Sequence, residues 1–493
     1  MKEYHLHVKY IALVILAVLL CGCQKNPARD IVTSKNDGTF DASLARPATD
    51  KNENQESQTV EYTENFMSSD GSVEFKFMIS EKLANENWPI IEVSPHYLTE
   101  TDAERVARIL FKDADFFYAE PRLAEKYTKS ELQNKIMRWA QYSNVDALHE
   151  LFGDVGGDLQ FRENLVKAAI EEYTEEISTS NDDYRHAPCQ WQYKKESFYW
   201  YNAAEIDEKS LAKENDVIQA SVKIGDISYI YTVSTRNQND FKINNIHVYP
   251  FDGFSPNSID DRIFRAWLCR TEEPTDEQVE LIRSKCESMI AEMQLGTWMI
   301  DECYVDVVYY GEIPEFVVCI NAVPMFDGIA TLRRPQITNL KSEEAYASNY
   351  YLSDIRFEFS ANGNLVRFSL YSPLDVVNTV NKNVAVLEND QLLEIAREHL
   401  KLSDYYQYGY GAMIDLIEEE VMCAVDITNV DMKLTRVKVP NTDERYYYIP
   451  SIAFMGQVEY YGKESGKIYF SNEDVTLVIL NAVDGSIINP GNE

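Results

Sequence analysis

An apolar run of 11 residues, Tyr10–Leu20, follows Lys2 and Lys9 and ends in Leu20-Cys21-Gly22-Cys23. Its length constrains everything downstream. A helix needs about 20 apolar residues to cross a hydrocarbon core of ~30 Å, so this run is too short to span. A basic start, a short apolar stretch and a small residue before the cut are instead the features of a secretory signal. The rest of the chain is therefore expected to fold outside the cytoplasm.

The same segment resembles the bacterial lipobox, with Gly22 directly before Cys23 and Leu20 three positions before it. The resemblance implies that residues 1–22 are removed as a lipoprotein signal peptide. Cys23 then becomes an acylated N-terminus on the extracytoplasmic face of the cell membrane. Two or three acyl chains, at ~0.8 kcal/mol per buried methylene, hold a protein where one myristoyl chain does not. Residues 24–65 are rich in Asn, Asp, Ser, Thr, Lys and Gln, carry Pro27 and Pro47, and show no apolar period of 2 or 3.6. Together with Cys23 they are expected to form a disordered tether, residues 23–65, with a root-mean-square span of roughly 35 Å.

The remaining stretch of about 430 residues is longer than one core usually serves, which predicts two domains. Apolar residues are 45% and charged residues 26%, the balance of a globular chain, and 12% aromatics with 32 tyrosines favour strands. The formal net charge of −35 excludes nucleic acid as a partner, because phosphate backbones are bound by clustered Lys and Arg.

Periodicity places an opening strand at Ser72–Ile79, then a helix capped by Thr99 with Val106, Ile109 and Leu110 on its apolar stripe. Helices are expected over Ser130–Tyr142 and over Leu159–Ile177, the latter through Leu165, Ala168, Ala169 and Tyr173. Alternation then predicts a meander of Val217–Ile224, Ser228–Ser234 and Phe241–Tyr249. The turn-rich Phe251-Asp252-Gly253-Phe254-Ser255-Pro256 suggests a boundary, giving an N-terminal α+β domain (66–255) and a C-terminal one (256–493). The fold class is α+β, antiparallel sheets with helices packed on one face.

The second half carries an internal echo. Glu277-Gln278-Val279-Glu280-Leu281-Ile282 opens one helix and Asp390-Gln391-Leu392-Leu393-Glu394-Ile395 another. Downstream of the first lie Cys319-Ile320-Asn321-Ala322-Val323 and Asp327-Gly328; downstream of the second lie Ile479-Leu480-Asn481-Ala482-Val483 and Asp484-Gly485. Each set reads as a helix followed by antiparallel strands and an Asp-Gly turn. The closing run Thr476–Ile488 resembles the end of PepSY-type modules and of the extracytoplasmic accessory regulators of cell-wall sensor kinases. With Tyr127-Thr128-Lys129-Ser130-Glu131-Leu132, the whole chain also resembles a domain-of-unknown-function family of Gram-positive surface lipoproteins. These resemblances imply two PepSY-like units and an interaction or regulatory module of the cell envelope, with no catalytic residues to carry over. A lipid anchor departs from the transmembrane helix of the accessory regulators.

No HExxH, GxSxG, P-loop or GxGxxG occurs, and Ser210-Leu211-Ala212-Lys213 lacks the partners that SxxK chemistry requires. No catalytic residue, metal site or cofactor is assigned. Two carboxylates suffice for glycoside hydrolysis, so an envelope hydrolase stays open as an alternative. Aromatic clusters at Trp191, Tyr193, Phe198, Tyr199, Trp200 and Tyr201 and at Tyr405, Tyr406, Tyr408 and Tyr410 offer faces for sugar or peptide. The second cluster, beside Gly409 and Gly411, is the candidate ligand loop of a wall glycan or peptide binder. Cys189, Cys269, Cys286, Cys303, Cys319 and Cys423 form no CxxC pair; Cys303 and Cys319 flank an expected hairpin and are a candidate disulfide. The partners expected are the membrane, through Cys23, and an envelope protein or cell-wall glycan.

The anchor has a direct test. Cys23→Ser should abolish palmitate labelling and move the protein from the membrane to the soluble fraction; labelling that persists would refute lipidation at this position.

Overall fold

The computed structural model describes residues 40, 42, 45–48, 59–82, 87–119, 127–153, 158–180, 187–198, 213–225, 227–235, 244–250, 259–269, 272–308, 314–333, 353–402, 417, 419–442 and 444–488. The chain starts in one sheet, leaves it to build a second, and returns. Strands β1 (Thr59–Met67), β2 (Val73–Lys82) and β3 (Ile90–Pro95) come first. Helix α1 (Glu100–Phe111) leads to β4 (Phe116–Tyr118), then to helices α2 (Lys129–Ala140), α3 (Val145–Phe152) and α4 (Leu159–Thr179). β5 (Lys194–Phe198), β6 (Lys213–Ile224), β7 (Ile227–Thr235) and β8 (Asn244–Pro250) follow, then α5 (Ile259–Cys269) and α6 (Asp276–Met293). β9 (Trp298–Val308), β10 (Glu315–Phe326), β11 (Ile329–Ala330), β12 (Asp354–Ser360) and β13 (Leu365–Tyr371) close that excursion. β14 (Leu374–Asn381), α7 (Asn389–Leu400), β15 (Val421–Lys438), β16 (Tyr446–Gly462) and β17 (Ile468–Asn481) belong to the first sheet again.

The seven-stranded sheet runs β1-β2-β15-β16-β3-β14, with β17 also paired to β16; the ten-stranded sheet runs β11-β10-β12-β13-β8-β7-β6-β4, with β5 on β6 and β9 on β10. Only the β2–β15 pair among those described is parallel. The protein is thus α+β, as its alternation and helical periods indicate. The expected boundary after residue 255 does not separate sheets: β8 pairs with β13 through Ile246 opposite Leu370 and Val248 opposite Phe368. The strands on either side of that segment complete one another.

Helix caps follow the sequence closely. Thr99 and Asp102 form a capping box on α1, and Thr128 with Glu131 forms one on α2. Val106 and Leu110 are buried on α1, while Ile109 lies at the rim. On α4 the stripe is rotated from expectation: Leu165 is exposed, and Val166, Ala169, Ile170 and Tyr173 pack with Trp139, Leu148 and Ile263 of the neighbouring helices. The two echoed segments begin α6 and α7, and antiparallel strands follow each, but in different sheets. Asp327 and Gly328 both take positive φ, 51° and 87°, closing a two-residue hairpin between Phe326 and Ile329.

The expectation of a disordered tether over residues 23–65 does not hold where that stretch is described. β1 begins at Thr59 and pairs along its length with β2; Phe66 stacks on Phe75 and Phe77, and Glu64 is paired to Arg397 of α7. Phe40 is buried against Tyr447, and Pro47 bridges to Val384. Val60, Tyr62 and Phe66 alternate weakly within a polar composition, which is why composition alone hides the strand. No helix among the described residues is long and apolar enough to cross a membrane.

The ten-stranded sheet has one apolar and one polar face. One register row reads Cys303, Ile320, Phe357, Phe368, Val248, Tyr231, Ala220 across seven strands, and this face lies under α1 and α6. The adjacent row, pointing the other way, reads Glu302, Asn321, Arg356, Ser369, His247, Thr232, Gln219. In the seven-stranded sheet α7 supplies Leu392, Leu393, Ala396 and Leu400 to a core with Phe75, Phe77 and Phe454.

Both crossings between the sheets meet at Asn244. Its side chain donates to His96 O (2.6 Å) and accepts from Leu98 N (3.1 Å), while its backbone carbonyl accepts from Ser372 N (2.8 Å). His96 N in turn donates to Pro373 O (2.8 Å). Ser372 sits at φ 41°, a conformation that a non-glycine residue holds only when its surroundings fix it. Asn244 is 4% exposed, so Asn244→Ala leaves buried donors and acceptors unpaired. We expect a loss of about 1–3 kcal/mol in urea denaturation; a change within error would remove this residue as the clamp.

Candidate functional site at the junction of the sheets

The site is built where β3 hands over to α1 and β13 to β14. His96 Nδ1 lies 3.0 Å from Asp375 Oδ1, and Nε2 lies 3.3 Å from Asp102 Oδ2. Asp102 also caps α1 and is ion-paired with Arg105. Burial pushes the Asp102 carboxyl upward, but hydrogen bonds from Thr99 and His96 outweigh it and hold it below the usual carboxylate range. The imidazole therefore links β14 of one sheet to the helix that covers the other.

Beside this link is a recess of about 310 Å³ lined by Ile91, Trp298, Phe326, Asp327, Leu374 and Asp375, among others. Trp298 is fixed by donation from Nε1 to Leu295 O (2.9 Å). β14 forms one wall and is an edge of its sheet, paired only to β3 among the described residues. Val376, Val377 and Val380 on it are 57%, 42% and 37% exposed. Register shifts at Val377 and Val380 put two bulges in the strand. Exposed valines on an edge strand form a surface on which another chain can pair.

The polar face of the ten-stranded sheet is the second arrangement of note. Glu358 is 3% exposed between Arg356 (2.9 Å) and Arg367 (3.7 Å), and Glu302 is paired with Arg333 while accepting from Asn321 Nδ2 (3.1 Å). His247 contacts Ser369 Oγ (3.2 Å) and meets the Tyr371 ring edge to face. Burial, with the Arg367 charge adding, pushes its pKa down to about 4.

The candidate disulfide is not formed. Cys303 lies opposite Ile320 and Cys319 opposite Tyr304, so the two thiols emerge on opposite faces of the sheet, and all six cysteines described are free. A one-residue offset in register decides this. Burial raises the Cys319 thiol to about 11, which leaves it un-ionised at neutral pH. Trp191 packs on Phe116 and Tyr231, and Tyr193 donates to Leu98 O (2.7 Å), so this part of the first aromatic cluster serves the core. Tyr405, Tyr406, Tyr408, Tyr410 and Cys23 lie outside the described residues. No cluster of metal-ligating side chains occurs among those described. Sequence reasoning missed His96, Asp375 and the valine edge; only the run Val376-Val377-Asn378-Thr379-Val380 hinted at an apolar edge.

A pH measurement follows from His247. Its folded pKa lies below the unfolded value of about 6.5, so the stability it confers is complete above that pH and is lost as pH falls towards 4. His247→Gln removes this dependence. The stability difference between wild type and variant should change by on the order of 2–3 kcal/mol between pH 7 and pH 4; parallel curves would contradict the assignment.

Among solved structures, the chain is similar to the crystal structure of an uncharacterized protein from Eubacterium rectale ATCC 33656, with 10% identity and a TM-score of 0.36 over 87% of this chain and 93% of that one. It is also similar to the Bacillus megaterium YpeB C-terminal domain, with 6% identity and a TM-score of 0.23 over 57% of this chain and 89% of that one. No family profile and no curated protein matches the chain in sequence.

Proposed function

We propose that this protein is a lipid-anchored extracytoplasmic interaction module of the cell envelope that engages a protein partner through β14 and the adjoining recess. The observation that carries the reading is the edge bearing Val376, Val377 and Val380, paired only to β3 among the described residues, beside a recess walled by Trp298 and Phe326. An extended segment of the partner adds a strand to β14, its main chain supplying affinity and its side chains entering the recess. The anchor and tether keep the module near a membrane-borne partner. The two-carboxylate glycoside hydrolase weighed above needs a general acid of raised pKa. The described carboxylates with a shift, Glu64, Asp70, Asp102, Glu131, Glu163 and Glu419, all move downward under hydrogen bonds and ion pairs.

A photo-crosslinking residue at Val376 or Val380 in the full-length protein should capture one discrete envelope protein in cells. Lysine at the neighbouring valine should abolish capture. Recovery of wall glycan instead, or of no product above background, would overturn this reading.

A further inference from the structure

A basic groove lies on the helical side of the ten-stranded sheet, between α1 and α6. Its volume is about 660 Å³, and Arg105 and Arg108 of α1, with Lys112 directly after it, line it together with Lys285, Ser288 and Glu292 of α6. Four cations thus line one groove in a chain of net charge −35. The helices run antiparallel, and Arg105 Nε donates to Met293 O (2.8 Å) at the end of α6, fixing their approach. Two of the cations have acidic partners: Arg105 is paired with Asp102 and Arg108 with Glu104. Glu292 is the one carboxylate among the lining residues, and Ser288 donates to its Oε1 (3.0 Å).

Lys112 and Lys285 are different. Neither has a carboxylate partner among the described residues, and Lys285 Nζ sits over the Phe359 ring, 4.8 Å from its centroid. Lys112 follows α1 at φ 48°, a conformation that a non-glycine residue holds only when its surroundings fix it, and it lines the groove. Close packing, with the Lys112 charge adding to it, disfavours the charged form of Lys285. Two adjacent ammoniums repel in the free protein, and a multiply charged anion between them relieves that repulsion.

We infer that the α1–α6 groove binds a phosphate-bearing anion through Lys112 and Lys285, with Arg108 at its edge. Ammonium groups are point charges suited to phosphate oxygens, and a tetrahedral group presents several oxygens to converging cations where a carboxylate presents two. The phosphate can belong to a soluble compound or to a lipid headgroup. This site is separate from β14 and does not depend on the reading proposed for that edge.

The test uses the full chain carrying Cys23→Ser, so that acylation does not mask binding to vesicles. Inorganic pyrophosphate is titrated calorimetrically, and vesicles of phosphatidylglycerol in phosphatidylcholine are co-sedimented with the protein. Saturable pyrophosphate binding that weakens about tenfold or more in Lys112→Gln/Lys285→Gln supports the groove. With that result, vesicle retention lost in the same variant assigns the phosphate to headgroups, and unchanged vesicle behaviour assigns it to a soluble compound. In unsubstituted lysine background, pyrophosphate should also protect Lys112 and Lys285 from amine acetylation, a readout that needs no lysine variant to fold. Absence of saturable pyrophosphate binding, binding that persists in the double variant, or no protection of these two lysines would overturn the inference.

Discussion

The architecture depends on a few hydrogen bonds around Asn244. The chain crosses between its two sheets twice, at residues 96–99 and 372–373, and one buried amide bonds to both sides of the first crossing while its own carbonyl holds the second. A chain that leaves one sheet, builds another and returns must align two distant segments. Satisfying their backbone groups at one point gives that alignment without a large interface, because an unpaired buried polar group costs as much as several weak contacts gain. Ser372 holds positive φ at this point, as expected where surroundings fix a residue against its own preference.

From that clamp the rest follows in layers. Across the ten-stranded sheet one register row puts Phe357 and Phe368 towards α1 and α6 and the adjacent row puts Arg356 and Ser369 the other way. Tyr231 adds a directional tie by donating to Ala103 O (2.7 Å), setting α1 over the row beneath it. In the seven-stranded sheet, β15 and β16 pair through a bulge at Ile427–Asn429. Gly456 lies across from it, where a Cβ would collide with the Asp426 carbonyl. Close backbone approach, and not turn geometry, keeps that glycine.

The same layering positions the surfaces on which function is argued. α1 carries Asp102 towards His96 at its start and Arg108 and Lys112 towards α6 at its end, so one helix borders both the junction and the basic groove. The acidic surface elsewhere gives the groove its contrast.

Much of the fold was legible in the sequence because its signals are local. Thr99 forecast a capped helix, alternation from Val217 forecast a meander, and Asp327-Gly328 forecast a turn between antiparallel strands. The Cys303–Cys319 pair failed on register, since a shift of one residue reverses a side chain's face and nothing local to either strand sets it. That the segment after β8 does not part the sheets was not legible, because β8 finds β13 across α5, α6 and four of the described strands. His96 and Asp375 are 279 positions apart, a separation at which no periodicity links two residues. By itself the sequence determined the helix caps, the alternation and the acidic balance. Each depends on neighbours within a turn or a hairpin, or on composition alone. Only the tertiary structure decided which strands share a sheet, which thiols part company and which charges meet in a groove, because those depend on where distant segments come to lie.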